Sequence, residues 1–145
     1  MTIKQACWIH GTSLHLENPS WSNLAVRQGF FTTLRPSNES ISGWVHFAIP
    51  TPDIINDARS KAHTAYIRFT TGTQASIEAI HIFDGEKKIH EHNGLTLRGT
   101  LKVAQEVITG TPEVHWGTGI SILVKFEDRS ADAWIQLIGA GIDFT

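Results

Sequence analysis

The chain has 145 residues, 41% of them hydrophobic and 18% charged, with a formal net charge of −2. That length holds one domain with a substantial core, expected over residues 1–145, and the balance excludes a disordered tail or a fibrous repeat. No block of Lys or Arg forms a basic stripe, so a nucleic-acid or anionic-membrane binder lacks its electrostatic footprint here.

Met1 to Gly11 carries one Lys and no long apolar core, which is not a secretory pattern, and no apolar run is long enough to span a bilayer. The single cysteine, Cys7, cannot form an internal disulfide, which fits a reducing, cytoplasmic setting. Cys7 lies in an apolar run and reads as a small hydrophobe of the core.

Short runs of β-branched and aromatic residues alternate with Gly, Pro, Asn, Asp and Ser clusters. This spacing predicts an all-β, antiparallel β-sandwich of about nine strands, jelly-roll-like, with at most one short helix. Ile3 to His10 is the first predicted strand, continued by Leu14 to Leu16 after a break at Gly11-Thr12-Ser13. Trp21, after the Asn18-Pro19-Ser20 loop, is expected to plug one end of the core. Arg27 to Leu34 is read as a strand. In Ile41 to Ile49, alternation sends Val45, Phe47 and Ile49 to the core and Trp44 and His46 outward. Pro50 and Pro52 stop that strand. Asp53 to Ser60 makes either two helical turns or an irregular crossover. Ala62 to Thr70 buries Ala65, Ile67 and Phe69, leaves Tyr66 and Arg68 on the other face, and is expected to pair with the next strand through the Thr71-Gly72-Thr73 turn.

Ser76 to His92 reads as one hairpin, because Asp-Gly at 84 and 85 is a strong turn signal. Ile77, Ala79, His81 and Phe83 share one face and Glu78, Ile80 and Ile82 the other, so neither face is polar. Leu95 to Ile108 holds another strand or two. Gly119 to Glu127 puts Ile120, Ile122, Val124 and Phe126 inward. Ala131 to Ile138 is expected to return as its partner, with a bend or bulge at Gly139-Ala140-Gly141.

The stretches GWVHFAIPTP (Gly43 to Pro52), IHIFDG (Ile80 to Gly85) and GISILVKF with GAGIDF (Gly119 to Phe144) resemble a group of short bacterial proteins of unassigned function. The resemblance covers most of the chain. It implies a one-domain β fold and transfers no site residues, since its motifs are those of strands and turns. The overall pattern is also similar, at the level of fold, to jelly-roll carbohydrate-binding modules and lectins, where function does not follow from fold.

Eight histidines are the compositional oddity. His90 and His92, two apart on a strand, share a side and could meet one divalent metal with His81 as third ligand. A three-His site with an open position could activate water. No other cofactor is expected. Trp44 beside His46, and His115 beside Trp116, offer a flat ring next to a hydrogen-bonding ring, as a sugar or aromatic ligand requires. With Tyr66, Arg68, His81 and Asp84 they would make a lectin-like groove. The leading expectation is therefore a noncatalytic module binding a glycan or small molecule. The alternatives are a homo-oligomeric assembly protein joined through sheet edges, and a small His-dependent cyclase, isomerase or hydrolase using His46, His81 or His115.

Overall fold

The computed structural model describes residues 2–145; the side chains of residues 22–24 lie outside that description. Alternating apolar residues make each strand half-buried, and such strands pair until their apolar faces can meet. Here they form an antiparallel sandwich of two sheets over one core.

The first sheet has as its middle the last strand, β13 (Ile135–Phe144). On one side of it lies β8 (Ala62–Thr71), followed by β11 (Lys102–Val107). On the other side β4 (Phe31–Pro36) and β3 (Ser22–Gln28) pair with one half of β13, and β1 (Gln5–His10) with the other. The second sheet runs β10 (Lys87–His92), β9 (Ala75–Asp84), β12 (Thr118–Phe126), β5 (Ser42–Ile49), β2 (His15–Leu16). Phe47, Ile80, Ile82, Ile120 and Ile122 of the second sheet are fully buried against Ile67, Phe69, Leu137 and Ile142 of the first. Each such side chain contributes roughly 1.5–3 kcal/mol of burial. Trp21 plugs the core at 3% exposure, and Gly43 is bare because a Cβ there would collide with its ring.

Several connections differ from the sequence reading. Gly11–Ser13 is a single 3-10 turn that carries the chain to the other sheet, so β2 is not a continuation of β1. Residues 27–34 are not one strand. Gly29, with φ +34°, lets β3 fold back on β4 there. Residues 53–60 contain no helix; β6 (Ile54–Ile55) and β7 (Ala58–Arg59) form a small hairpin whose turn, Asn56-Asp57, has both φ values positive. That is the left-handed pair a two-residue hairpin turn requires, and Asn and Asp tolerate it. The Thr71-Gly72-Thr73 turn crosses between sheets, so β8 pairs with β11 and β13 while β9 pairs with β10 and β12. Likewise β13 is not the partner of β12; it returns in the opposite sheet. A single alternating run records which side is buried, not which sheet will bury it.

The hairpin β9–β10 turns at residues 85 and 86, one place later than expected. Its two-sided apolar character has a local cause. Leu123 pairs with Ala79 but Val124 with Ile77, so Glu78 is an extra residue in β9. This bulge resets the alternation and puts Ile77 inward with Ile80 and Ile82.

Candidate functional site

Trp44 and His46 project from the outer face of the second sheet, because Val45 and Phe47 between and beyond them are buried. The ladder aligns His46, Ser121 and His81 in one row across β5, β12 and β9. His15 and Glu91 extend the row at its two ends. His46 Nε2 lies 3.2 Å from Glu17 Oε1 and Nδ1 lies 2.7 Å from Ser121 Oγ. An ionised carboxylate only accepts, so a neutral His46 ring carries its proton on Nε2 and accepts the Ser121 hydroxyl proton at Nδ1. His81 Nε2 lies 2.7 Å from Asn93 Oδ1 and 3.8 Å from Glu91. The hydrogen bond from the Lys88 ammonium, at 2.6 Å, holds the exposed Glu91 carboxyl below the usual range.

Trp44 sits one row along, opposite Leu123. Its ring centroid is 4.7 Å from that of His81, at 47° between planes, so the indole reaches across the middle strand. Beside it opens a cleft of about 400 Å³. Trp44 and Leu123 give it apolar surface, and Glu17, Asn18, Glu39 and Ser42 give it polar groups.

The remaining expected site residues lie elsewhere. Tyr66 and Arg68 are on the outer face of the first sheet, opposite Gly141 and Gly139 of β13. Tyr66 donates its hydroxyl to Asp143 Oδ2 at 3.0 Å and stacks on Trp8, with centroids 5.6 Å apart. Burial, reinforced by the Asp143 carboxylate, pushes the Tyr66 phenol above its usual value. Asp84 is buried at the end of the sandwich. It accepts the backbone N–H groups of His115 at 3.0 Å and Trp116 at 2.8 Å, which fixes the loop that carries Trp116. Trp116 is 75% exposed and, with His115, borders a second cleft of about 430 Å³. The eight residues expected to share one groove thus fall in three places. Asp84 acts as a loop clamp there.

The three histidines expected around a metal are also separated. His90 and His92 pair with Ile82 and Ile80 and share their inward side, whereas His81 points outward. The inward pair is met by Glu106 of β11, with His90 Nε2 at 3.1 Å and His92 Nδ1 at 2.7 Å from its two oxygens. These side chains tie the edge of one sheet to the edge of the other. Among the described residues no group of three His, Cys, Asp or Glu side chains is set to hold a metal ion.

Glu17, Ser121, Asn93, Glu106, Asp143 and Trp8 were not legible as partners in the sequence. Their contacts join residues 12 to 77 positions apart or cross between strands whose pairing was not predicted. The one available signal was Gly-x-Gly at 139 and 141, since bare backbone on one sheet face calls for a large ring to cover it.

The family of unknown function DUF6623 matches residues 2–145. The chain belongs to this family. Among proteins of curated function, none matches this DUF6623 sequence. Solved structures do resemble it. A low-affinity xylan binding module, CBM86, from Roseburia intestinalis is 11% identical with a TM-score of 0.58, covering 97% of this chain and 96% of that one. The Stig cyclase Fisc from Fischerella sp. TAU is 8% identical with a TM-score of 0.52, covering 95% of this chain and 84% of that one. At these identities the likeness establishes a shared fold. No helix among the described residues is long and apolar enough to cross a membrane.

Proposed function

We propose that the protein is a noncatalytic ligand-binding module that takes a neutral oligosaccharide against Trp44. The observation that carries this reading is the cleft in which Trp44 stands beside Glu17, Asn18, Glu39 and Ser42. A sugar ring presents a C–H face to an indole and hydroxyls to carboxylates and amides, and such pockets bind by that combination. The hydrogen-bonded row of Glu17, His46 and Ser121 keeps the polar wall in place before ligand arrives, which lowers the ordering cost of binding. The fold shared with a xylan binding module supports the reading at the level of architecture.

The test is isothermal titration calorimetry with xylo-, cello- and manno-oligosaccharides. One class is expected to bind, and Trp44→Ala to weaken it by about tenfold or more, the equivalent of one lost stacking contact. Undiminished affinity in Trp44→Ala, or no binding by any class at millimolar concentration, overturns the proposal.

A second reading, a His-dependent enzyme, draws on one observation. Ser121, His46 and Glu17 form a hydroxyl–imidazole–carboxylate chain, the arrangement that activates a nucleophile. It predicts hydrolysis of an activated ester that His46→Ala abolishes; a background rate unchanged by His46→Ala removes it.

A further inference from the structure

The loop end of the sandwich carries the cleft of about 430 Å³ that the Trp44 site does not use, and no residue lines both clefts. Its prominent feature is Trp116, 75% exposed although the loop beneath it is firmly held. Asp84 accepts the backbone N–H groups of His115 and Trp116. The Gly85 N–H donates to the Gly117 carbonyl at 2.9 Å, and the Thr118 N–H donates to Thr51 Oγ1 at 2.8 Å. Each residue from His115 to Thr118 is thus fixed through its backbone. Gly85, with φ +57°, is bare because a Cβ there would lie 2.8 Å from the Trp116 Cβ. The base of the indole therefore leans over the β9–β10 turn, while most of the ring stays in water. A large ring held out by fixed backbone offers a stacking surface whose ordering cost is already met before a ligand arrives.

The same cleft is acidic. Asp84, Glu86 and Glu113 line it, against one ammonium from Lys87. Asp84 is 4% exposed, and among the described residues its oxygens accept backbone N–H groups with no cation paired to them. Glu113 lies 3.8 Å from the His115 ring, too far for a hydrogen bond, and Glu86 is exposed. A buried carboxylate without a counter-charge, with two more carboxylates around it, sets a negative potential in the cleft. Acceptors and an indole face in one place suit a ligand that carries both a cation and a flat C–H surface.

We infer that this cleft binds a basic amino sugar, a glucosamine residue of an oligosaccharide. Its pyranose ring lies against the exposed face of Trp116, and its ammonium turns toward Glu113 and Glu86. An ammonium has three donors and no acceptor, which matches carboxylates whose oxygens are still open. A cation beside an indole face is attracted by the ring as well. The site is independent of the Trp44 cleft, and different variants test the two.

The experiment is a calorimetric titration with triglucosamine, at a pH where its amines are charged and carboxylates are ionised. Its N-acetylated trimer, which is neutral, and methylammonium are the comparisons. Triglucosamine is expected to bind, more weakly at raised salt, and Trp116→Ala to lose about tenfold or more in affinity. The double variant Glu86→Gln with Glu113→Gln should lose about tenfold, since it keeps the shape and removes the charge. All three residues are exposed, so urea unfolding curves of these variants should match the parent. Trp44→Ala should leave this binding unchanged, whether or not the Trp44 cleft takes neutral sugars. Full affinity in Trp116→Ala or in the double glutamine variant overturns the inference. So does the acetylated trimer or methylammonium binding as tightly as triglucosamine, or no binding at millimolar concentration.

Discussion

The two sheets finish their outer faces in opposite ways. On the second sheet polar side chains satisfy one another across strands: Glu17 with His46, His46 with Ser121, His81 with Asn93. On the first sheet the middle strand is stripped to Gly139 and Gly141, and rings from neighbouring strands lie over the backbone. A satisfied row is rigid but has spent many of its donors, so a ligand gains by settling beside it, against Trp44. On the glycine floor the Trp8 ring fills the space over Gly141, and the Ile9 carbonyl closes the side of Gly139. The same ladder can thus be finished by hydrogen-bonded side chains or by rings laid over backbone, depending on whether its central strand carries side chains.

The largest expected effect lies outside both faces and separates fold from site. Asp84→Ala leaves the half-buried N–H groups of His115 and Trp116 without their acceptor. It should cost about 2 kcal/mol in a urea unfolding curve while the intact fraction still binds at the Trp44 cleft. Next, Gly141→Ala forces the Trp8 ring off the sheet and should cost about 2 kcal/mol by overpacking, with a shift in tryptophan fluorescence. Ser121→Ala, the matching change on the second sheet, should cost only about 1 kcal/mol, since it removes one hydrogen bond and creates no clash. A reversed order of these two would break the contrast between a glycine-floored face and a hydrogen-bonded one.

The smallest effect is spectroscopic. Tyr66 is the sole tyrosine, so the phenolate absorbance reports one residue. Its pKa is raised above 10.0, by burial first and Asp143 second. The protonated phenol is favoured by folding, so its contribution is present below pH 10 and is lost as pH rises through the folded value. Asp143→Asn should move the titration back toward the model-peptide value. An unshifted midpoint in the parent protein would contradict the hydrogen bond from Tyr66 to Asp143.

Much of the sandwich was legible because its clearest strands alternate strictly. Val45, Phe47 and Ile49, and Ile120, Ile122 and Val124, are buried as their period of two demands. The β13 pairing was not legible, since a run such as Ile135 to Phe144 fits either sheet. The bulge at Glu78 was equally hidden, because one extra residue changes the face of Ile77 without changing its neighbours in sequence. Trp44, His46 and His81 do come together on one face, as their positions on predicted strands allowed. Tyr66 with Arg68, and Asp84 with Trp116, went elsewhere because their strands and loops belong to other parts of the sandwich.

The most direct test of the account is an NMR titration of the labelled protein with xylotetraose, cellotetraose and mannotetraose, following backbone amides and tryptophan indole signals. The account predicts shifts concentrated at Trp44, His46, His81 and Ser121 and at the cleft residues Glu17 and Glu39. Shifts confined to Trp8 and Tyr66, or to Trp116, or no shifts at all, would contradict it.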